Sequence, residues 1–490
     1  MSVPPHCVFT NVGAHSPCGC ELMKEATSNA LVLKQAYLYQ SLKQALSVLF
    51  LRPGFEEQIC HWNTELKIVN TMCDIYNKAM WKKLKDASGI LFVACPHSLM
   101  LILNIDWFQL FNGVSYSSGA IYLVFKPENT ILVGLMPGPK EPRCEEIDNY
   151  LKLMVDKIKQ LYIGMRVPTY ECPSGANVSH NSTCACYKYT TQFLRLPNTN
   201  QVDFSRFDYS LWIICSGVGN RLHAEEWKST STPSERHQLE VEYGVKWLQL
   251  QRLGYFDLVR GTIIDPMHSL FLGTPKRMMD QWVDKKTIGA KEFATMEKIA
   301  ETMVLPRDYT KLISKIGKGF PYMKADDWKS WVLPSIAFDK VKSAHDYLEM
   351  FCKKATKLYT PTILTCNIHL HLHLCETIRD FGPVYGYWLF GFERYNGLLK
   401  HIKTNEKDSF EATYMRSFIQ NAFKDDYVNA VLKSSSYVLF FNIFSKLSPK
   451  VIPTTTVITL SSHPFRLQSF LLALSNPHLP PKAKKIITDG

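Results

Sequence analysis

The feature that most constrains this chain is an unbroken apolar run, Leu99 to Leu103, which leads into Asn104-Ile105-Asp106. A run without alternation of apolar and polar residues is typical of a strand buried on both faces, and this strand would deliver Asp106 to its C-terminal end. Two more strands are predicted directly after it, from Ser117 to Phe125 and from Thr130 to Met136, because both are rich in Ile, Val, Leu and Tyr. The turn residues between them, at 126–129, predict a hairpin.

Predicted helices flank these strands. Residues Glu145 to Ile163 carry apolar side chains at helical spacing, which predicts an amphipathic helix. The same spacing predicts helices between Ser28 and Leu84, with a break at Pro53-Gly54. Between Met165 and Asn198 no apolar run is long enough for a strand, so a loop is expected there. The hydrophobic content of 46% is that of a packed globular protein, and the order of elements predicts an α+β fold.

The charge balance points to an acidic partner. The chain has 490 residues, with 56 Lys and Arg against 44 Asp and Glu, which gives a net charge of +12. A positive excess of this kind favours a partner with dense negative charge. No apolar stretch reaches the roughly 18 residues that a membrane span needs, so we expect no membrane partner. The sequence begins without a secretory leader pattern, so the cysteines are expected to be reduced thiols or metal ligands.

The first 24 residues are rich in potential metal ligands. His6, Cys7, His15, Cys18 and Cys20 lie within fifteen positions, close enough to supply a small zinc site. However, Cys18 and Cys20 are separated by one residue and not by the two that are typical of zinc fingers. Both a zinc site and a set of unliganded side chains therefore remain open at this point.

Asp106 is placed where one class of nucleic-acid enzyme keeps its first acidic residue. An RNase H-like core carries an aspartate on a strand beside an antiparallel pair, a second aspartate on a later strand and a glutamate or aspartate on a helix. Two divalent ions held by these carboxylates stabilise the attacking and leaving oxygens of phosphodiester chemistry. Oxygen ligands of this kind suit Mg²⁺. An aspartate at a strand end also often serves only as a turn or cap residue, so the pattern alone does not decide between the two.

Blocks of the sequence resemble a transposase family. These blocks are LNIDWFQLF (103–111), YFDLVRGTIIDPMHSLFLGTPK (255–276) and HLHLHLCETIRDFGPVYGYWLFGFERYNGLLK (369–400), and they are similar to those of the CACTA-type (En/Spm-like) transposases. The resemblance implies an RNase H-like (DDE transposase) core, interrupted by a large and mostly helical insertion and preceded by a helical N-terminal region. The domain boundaries that it implies are 1–88 for the Cys/His-containing N-terminus and helical region, 89–190 for the first part of the core, 191–374 for the inserted region, 375–425 for the closing helix of the core and 426–490 for the tail.

The resemblance also assigns roles to acidic residues. Asp106 matches the first catalytic aspartate and Glu393 matches the catalytic glutamate, and together they would bind Mg²⁺ or Mn²⁺. The strand that should carry the second aspartate is missing, since no aspartate lies between Asp156 and Asp203. Asp265, in the family marker Asp265-Pro266-Met267-His268, and Glu411 are alternative acidic residues. For Asp265 we expect a structural role, capping the helix that follows it.

A zinc site is also implied by the resemblance. The pair Cys184 and Cys186 would join His369 and His373 to brace the inserted region. If residues 369–373 form a strand, the alternative is a row of three histidines on one face, with His371 between the other two.

The resemblance implies cleavage and rejoining of DNA at terminal inverted repeats, with double-stranded DNA as the partner, a homo-oligomer on paired ends and a nuclear location. Without the second aspartate, catalysis should be impaired. The alternatives are a remnant that binds DNA or intact transposases without cutting, and a chain that fails to fold because a core strand has lost its neighbour. The candidate DNA contacts are Lys140, Arg143, Lys276, Arg394 and Lys400.

Overall fold

A computed structural model describes most of the chain outside the C-terminal tail. The described residues are 4–10, 14–25, 31–60, 78–83, 91, 97–111, 115–125, 129–163, 165–167, 176–183, 196–198, 203–205, 215–302, 309, 323–332, 341–404 and 410–432.

The described strands are β1 (Met23–Glu25), β2 (Leu31–Leu33), β3 (Leu38–Tyr39), β4 (Ser98–Gln109), β5 (Ser117–Val124), β6 (Thr130–Met136), β7 (Met165–Val167) and β8 (Ala176–Thr183). The described α-helices are α1 (Leu42–Phe50), α2 (Phe55–Cys60), α3 (Ala79–Lys83), α4 (Cys144–Ile163), α5 (Gly217–Ser229), α6 (Pro233–Tyr243), α7 (Thr274–Asp284), α8 (Ala290–Thr302), α9 (Ala325–Val332), α10 (Val341–Leu358), α11 (Cys366–Leu370), α12 (Leu374–Phe381), α13 (Phe390–Lys400) and α14 (Phe410–Leu432). This mixture of helices and a sheet agrees with the predicted α+β class.

The main sheet has six strands in the order β3-β6-β5-β4-β8-β7. The neighbours β3, β6, β5 and β4 pair antiparallel, so the predicted hairpin of β5 and β6 is confirmed. Strand β8 pairs parallel with β4, from Ser98 opposite Ser179 to Ile102 opposite Thr183. Strand β7 then pairs antiparallel with β8. The sheet is therefore antiparallel on one side of β4 and parallel where β8 joins it.

Helices cover both faces of the sheet. Because side chains alternate across a strand, Leu99, Leu101 and Leu103 of β4 face one cluster, which also holds buried residues of α1 and α4. The opposite face holds Phe108 of β4 and Tyr122 of β5, and it packs against α13 and α14. The result is a three-layer arrangement with β4 at its centre, which explains why the sequence of β4 is almost continuously apolar.

Three sequence predictions about these elements need correction. Residues from Leu31 to Tyr39, predicted as helical, form β2 and β3, because their backbone pairs with β1 and β6. Strand β4 extends to Gln109, so Asp106 lies inside it and not at its end. Residues 369–373 are not a strand: α11 ends at Leu370, and a 3₁₀ turn follows from His371 to His373.

The largest correction concerns the segment between Met165 and Asn198. The sequence predicted no strand there, and therefore an unpaired edge on β4. The structure places the polar segment Ala176–Thr183 beside β4 as β8, where backbone hydrogen bonds satisfy the edge without an apolar sequence. Strand pairing uses backbone groups, so β8 forms without the apolar run by which a strand is predicted from sequence.

The part of 191–374 that the structure describes is helical, while its being an insertion into a core stays a prediction. It contains α5 to α11 and no strand among its described residues. Among the described helices, none has the length and apolar character to cross a lipid bilayer. The 433–490 part of the predicted tail lies outside the described residues.

Helix α4 allows a matched test of this packing, because Met154 is fully buried against the sheet while the adjacent Leu153 is 48% exposed. We expect Met154→Ala to lower the free energy of unfolding by roughly 2 to 5 kcal/mol, since it leaves a cavity in the main core. Leu153→Ala should change it by less than about 0.5 kcal/mol. Urea unfolding followed by circular dichroism checks both values. Equal effects of the two substitutions would contradict the placement of α4.

Candidate functional site

Asp106 faces the α13 side of the sheet. It is opposite Ala120 in the β4–β5 ladder, and alternation along β4 puts it on the same face as Phe108. Strand β8 pairs with β4 only as far as Ile102. At Asp106, β5 is therefore the one described strand that pairs with β4. Asp106 therefore lies just beyond the region where the parallel strand ends.

A buried relay of hydrogen bonds fixes the Asp106 carboxylate. The side-chain amide of Asn396 donates to Asp106 Oδ2 at 2.6 Å, and Tyr122 Oη donates to Asn396 Oδ1 at 3.0 Å. Asn396 is 1% exposed and belongs to α13. The relay therefore ties α13 to the two central strands of the sheet, and it orients one oxygen of Asp106.

Glu393 lies in the first turn of α13, one turn before Asn396. Burial raises the pKa of Glu393, and the negative charge of Asp106 raises it further. Burial also raises the pKa of Asp106, although the Asn396 hydrogen bond opposes this shift. The structure thus brings together the two residues that the sequence assigned as catalytic, close enough to repel each other. Two such carboxylates are stabilised by a positive charge placed between them.

Asp265 organises the approach to this pair. Its Oδ1 accepts hydrogen bonds from the backbone N–H groups of Met267, at 3.1 Å, and Leu389, at 3.1 Å. Its Oδ2 accepts from the backbone N–H of His268 at 3.0 Å and contacts His268 Nδ1 at 2.7 Å. The predicted capping role of Asp265 is confirmed by these backbone bonds. Because four groups already occupy its two oxygens, Asp265 is a poor replacement for a missing metal ligand.

His268 is a site residue that the sequence analysis missed. The hydrogen bond to Asp265 raises its pKa, and the negative charges of Asp265, Asp106 and Glu393 act in the same direction. The Asp265 carboxylate contacts Nδ1, and the His268 side chain remains 48% exposed. The signal was present in the sequence, since His268 lies three residues after Asp265 at the start of a helical turn. The sequence does not indicate that this turn faces Asp106, because the two residues are far apart along the chain.

Lys400 is the basic candidate that the structure places at the site. Burial raises the pKa of both Asp106 and Glu393, and the positive charge of Lys400 opposes that rise at both. Its ammonium group lies 5.9 Å from the centre of the Phe108 ring. Arg394 is exposed beside Glu393 on α13, and Lys140 and Lys276 are exposed on other elements. Arg143 is a weaker candidate because its guanidinium already pairs with Glu146 at 2.7 Å.

Glu411, the other alternative acidic residue, is buried in the structure, with 6% of its surface exposed. Its Oε1 accepts hydrogen bonds from Tyr116 Oη at 2.8 Å and Ser118 Oγ at 3.4 Å. It joins α14 to β5, so a structural role accounts for this buried carboxylate.

The histidine pair of the predicted zinc site is brought together. His369 Nε2 and His373 Nε2 lie 3.3 Å apart, and the ring of Phe204 stacks on His369 with centroids 5.1 Å apart. Burial lowers the pKa of His369 to about 4, so this imidazole is neutral at pH 7, as a metal ligand must be. Cys184 and Cys186 lie outside the described residues, so the predicted four-ligand set stays a prediction.

His371 is used differently from the other two histidines. Its Nδ1 lies 2.8 Å from Thr274 Oγ1, and its Nε2 lies 3.2 Å from Cys352 Sγ. Burial lowers the pKa of His371 to about 3 and raises that of Cys352 to about 12, so both are neutral. This buried contact joins α7, α10 and the 3₁₀ turn. It is a core interaction and not a nucleophilic dyad.

The donors are thus arranged in pairs. Among the described residues, no group of three His, Cys, Asp or Glu side chains has the arrangement of a metal site. Asp106 and Glu393 could hold one divalent ion together with water, with His268 and Lys400 as competing positive charges. Such a pair offers fewer carboxylates than two-metal phosphodiester chemistry requires. No protein-family model matches the chain, and no curated protein matches it either.

The contact between Asp265 and His268 makes the His268 pKa testable. In Asp265→Asn the histidine loses the charge that raises its pKa, so we expect that pKa to fall, as measured by NMR titration of the imidazole. Glu393→Gln should lower it less, since Glu393 is a weaker contributor. The raised pKa stabilises the fold fully below the unfolded value of about 6.5, and this contribution is lost as the pH rises through the folded pKa. An unchanged pKa in Asp265→Asn would contradict the site geometry.

Proposed function

We propose that this chain is a transposase-like protein with an RNase H-like core that binds double-stranded DNA and has lost efficient strand cleavage. The observation that carries the proposal is the pairing around β4: an antiparallel β4–β5–β6 unit, followed by α4 and by a strand parallel to β4. An RNase H-like core has this order, with its first carboxylate on the central strand. Here that residue is Asp106, and Glu393 comes from a later helix.

Loss of cleavage follows from the composition of β8. In an RNase H-like core the strand parallel to the first one carries the second aspartate. Strand β8 has the sequence ANVSHNST, which contains no acidic residue. Asp265 is occupied by four hydrogen-bond partners, and Glu411 by two. With two carboxylates, the charge clamp on the transition state is incomplete, and Mg²⁺ or Mn²⁺ would bind without supporting strand transfer.

DNA binding does not require the missing aspartate. Phosphate contacts depend on positive charge, and the net charge of +12 supplies a general attraction. Lys400 lies near both carboxylates, and Arg394 is exposed on the same helix. Lys140 comes four residues after the end of β6 at Met136. That end of β6 is level with Trp107 of β4, because Gly119 of β5 pairs with both Met136 and Trp107. Lys140 therefore follows the end of the sheet near Asp106. We assign the DNA contacts to Lys140, Arg394 and Lys400. The proposed function also includes a nuclear location and assembly of several copies on paired DNA ends.

The binding prediction concerns salt dependence. We expect double-stranded DNA affinity to fall steeply with salt and to be unchanged by EDTA. The triple substitution Lys140→Ala, Arg394→Ala and Lys400→Ala should weaken binding and reduce the slope of log K against log salt by about 0.9 for each phosphate that is no longer neutralised. Fluorescence anisotropy with a random-sequence duplex measures both quantities. Lys353→Ala, on α10, is the matched control and should leave the slope unchanged. If Lys353→Ala reduces the salt slope as much as the triple substitution does, the assignment of these three residues to DNA contacts is wrong.

The catalytic prediction is negative. With supercoiled DNA and either Mg²⁺ or Mn²⁺, we expect nicking by the wild-type protein to equal that of Asp106→Asn, because two carboxylates do not complete the two-metal site. Gel electrophoresis of the plasmid over time measures the nicked fraction. Metal-dependent nicking that disappears in Asp106→Ala and in Glu393→Gln would show an active enzyme. The proposed loss of cleavage would then be wrong, and the chain would be an active transposase.

A further inference from the structure

The N-terminus of the chain forms a small β unit that contains three cysteines. Residues 5–9 and 18–22 run antiparallel and are joined by backbone hydrogen bonds from Leu22 N–H to Pro5 O, at 2.7 Å, and from Cys18 N–H to Phe9 O, at 2.7 Å. An isolated bridge between His6 and Glu21 lies within the same ladder. The second segment continues into β1, which pairs with β2. Three short segments thus lie side by side.

A β-bulge at Gly19 brings Cys18 and Cys20 close together in this unit. Cys7 N–H donates to Cys20 O at 2.7 Å, and Gly19 N–H donates to Cys7 O at 3.0 Å, so two residues of one segment oppose one residue of the other. Gly19 has a φ of +67°, a left-handed conformation that glycine adopts without strain. In a regular strand, the Cα atoms of residues 18 and 20 would stand about 7 Å apart. The bulge instead brings the Cys18 and Cys20 sulfurs to 3.1 Å.

The third thiol is part of the same cluster. The Cys18 side chain also hydrogen-bonds to the Cys7 side chain. Cys18 and Cys20 are exposed and Cys7 is half-buried, so a solvent ion can reach all three. Lys34 places a positive charge near the cluster, and its ammonium group pairs with Glu21 at 2.6 Å.

This β unit has no hydrophobic core of its own. Among the described residues before Leu42, none is buried, and Val8, Phe9 and Leu31 are more than half exposed. Units of fewer than about 40 residues usually need a metal ion, disulfides or a partner to stay folded. The backbone hydrogen bonds of two short ladders do not provide that stability alone, because isolated hairpins are marginal in water.

We propose that Cys7, Cys18 and Cys20 form a thiolate site for a single Zn²⁺ or another thiophilic ion of the same charge, and that this ion fastens the N-terminal β unit. Three thiolates bind the metal, and each thiol releases its proton to solvent. The fourth position is taken by water or by His15, three residues before Cys18. Sulfur is a preferred zinc ligand, with Zn–S distances of about 2.3 Å.

Binding of the ion requires a small movement of the sulfurs. Within the described part of the chain, no group of three His, Cys, Asp or Glu side chains has the arrangement of a metal site. Two thiolates on one tetrahedral Zn²⁺ lie about 3.8 Å apart, from the bond length of about 2.3 Å. The Cys18 and Cys20 sulfurs are 3.1 Å apart, so they would separate slightly on binding the ion. Rotation about the side-chain bonds of these exposed residues provides that movement.

The site is separate from the predicted set of Cys184, Cys186, His369 and His373, and an experiment can distinguish the two. The full chain, purified reduced and metal-free, is titrated with Co²⁺ as a spectroscopic probe and then with Zn²⁺ against a chromophoric chelator. The double variant Cys18→Ser/Cys20→Ser tests the proposed site. Cys184→Ser/Cys186→Ser tests the other set, and Cys366→Ser, an exposed cysteine elsewhere, is the matched control.

We expect the Cys18/Cys20 variant to lose one equivalent of metal and its sulfur-to-cobalt charge-transfer band, with at least a tenfold loss of zinc affinity at that site. The Cys184/Cys186 variant and Cys366→Ser should keep this equivalent. Zinc should also protect the first 40 residues from limited proteolysis in the wild-type protein and not in the Cys18/Cys20 variant. The proposal is overturned if all variants bind the same number of ions, or if zinc leaves cleavage in the first 40 residues unchanged. None of these outcomes depends on DNA binding.

Discussion

Burial of β4 from both sides is the constraint on which the rest of the described core depends. Its first half pairs with β8 and its second half with β5, while helices cover each face. A strand in this position can keep a charged side chain only where the packing leaves room and supplies hydrogen bonds. Asp106 meets that condition, because Asn396 donates to it and the α13 face opens toward solvent at Glu393. The location of the site is therefore a consequence of how the central strand is packed.

Asp265 connects the helical region after Gly217 to the sheet and its covering helices. Its carboxylate holds the turn at Met267 and His268 and, across 124 residues of sequence, the backbone N–H of Leu389 at the start of α13. The ammonium group of Lys329, on α9, lies 4.6 Å from the centre of the Phe390 ring, next to the same helix start. These contacts hold the start of the helix that carries Glu393 and Asn396. The same turn places His268 where the charges of Asp106 and Glu393 act on it.

The site combines two negatively charged side chains with two basic ones. Asp106 and Glu393 repel each other, and burial raises the pKa of both. His268 and Lys400 oppose this effect with positive charge. A divalent ion at the pair would relieve the repulsion between the two carboxylates, and it would compete with His268 and Lys400 for them.

Local patterns in the amino-acid sequence predict the central elements. The apolar run predicts β4, and the Ile, Val, Leu and Tyr content with its turn residues predicts the β5–β6 hairpin. Helical spacing predicts α4, and the Asp-Pro pair predicts the cap at Asp265. These features are local, because each depends on the periodicity or the backbone preferences of neighbouring residues. Three other features emerge only in the folded chain: β8 pairs with β4, Glu411 is buried, and His268 faces Asp106. Strand pairing uses backbone groups that every residue has, and contacts between distant segments depend on packing that no local pattern records.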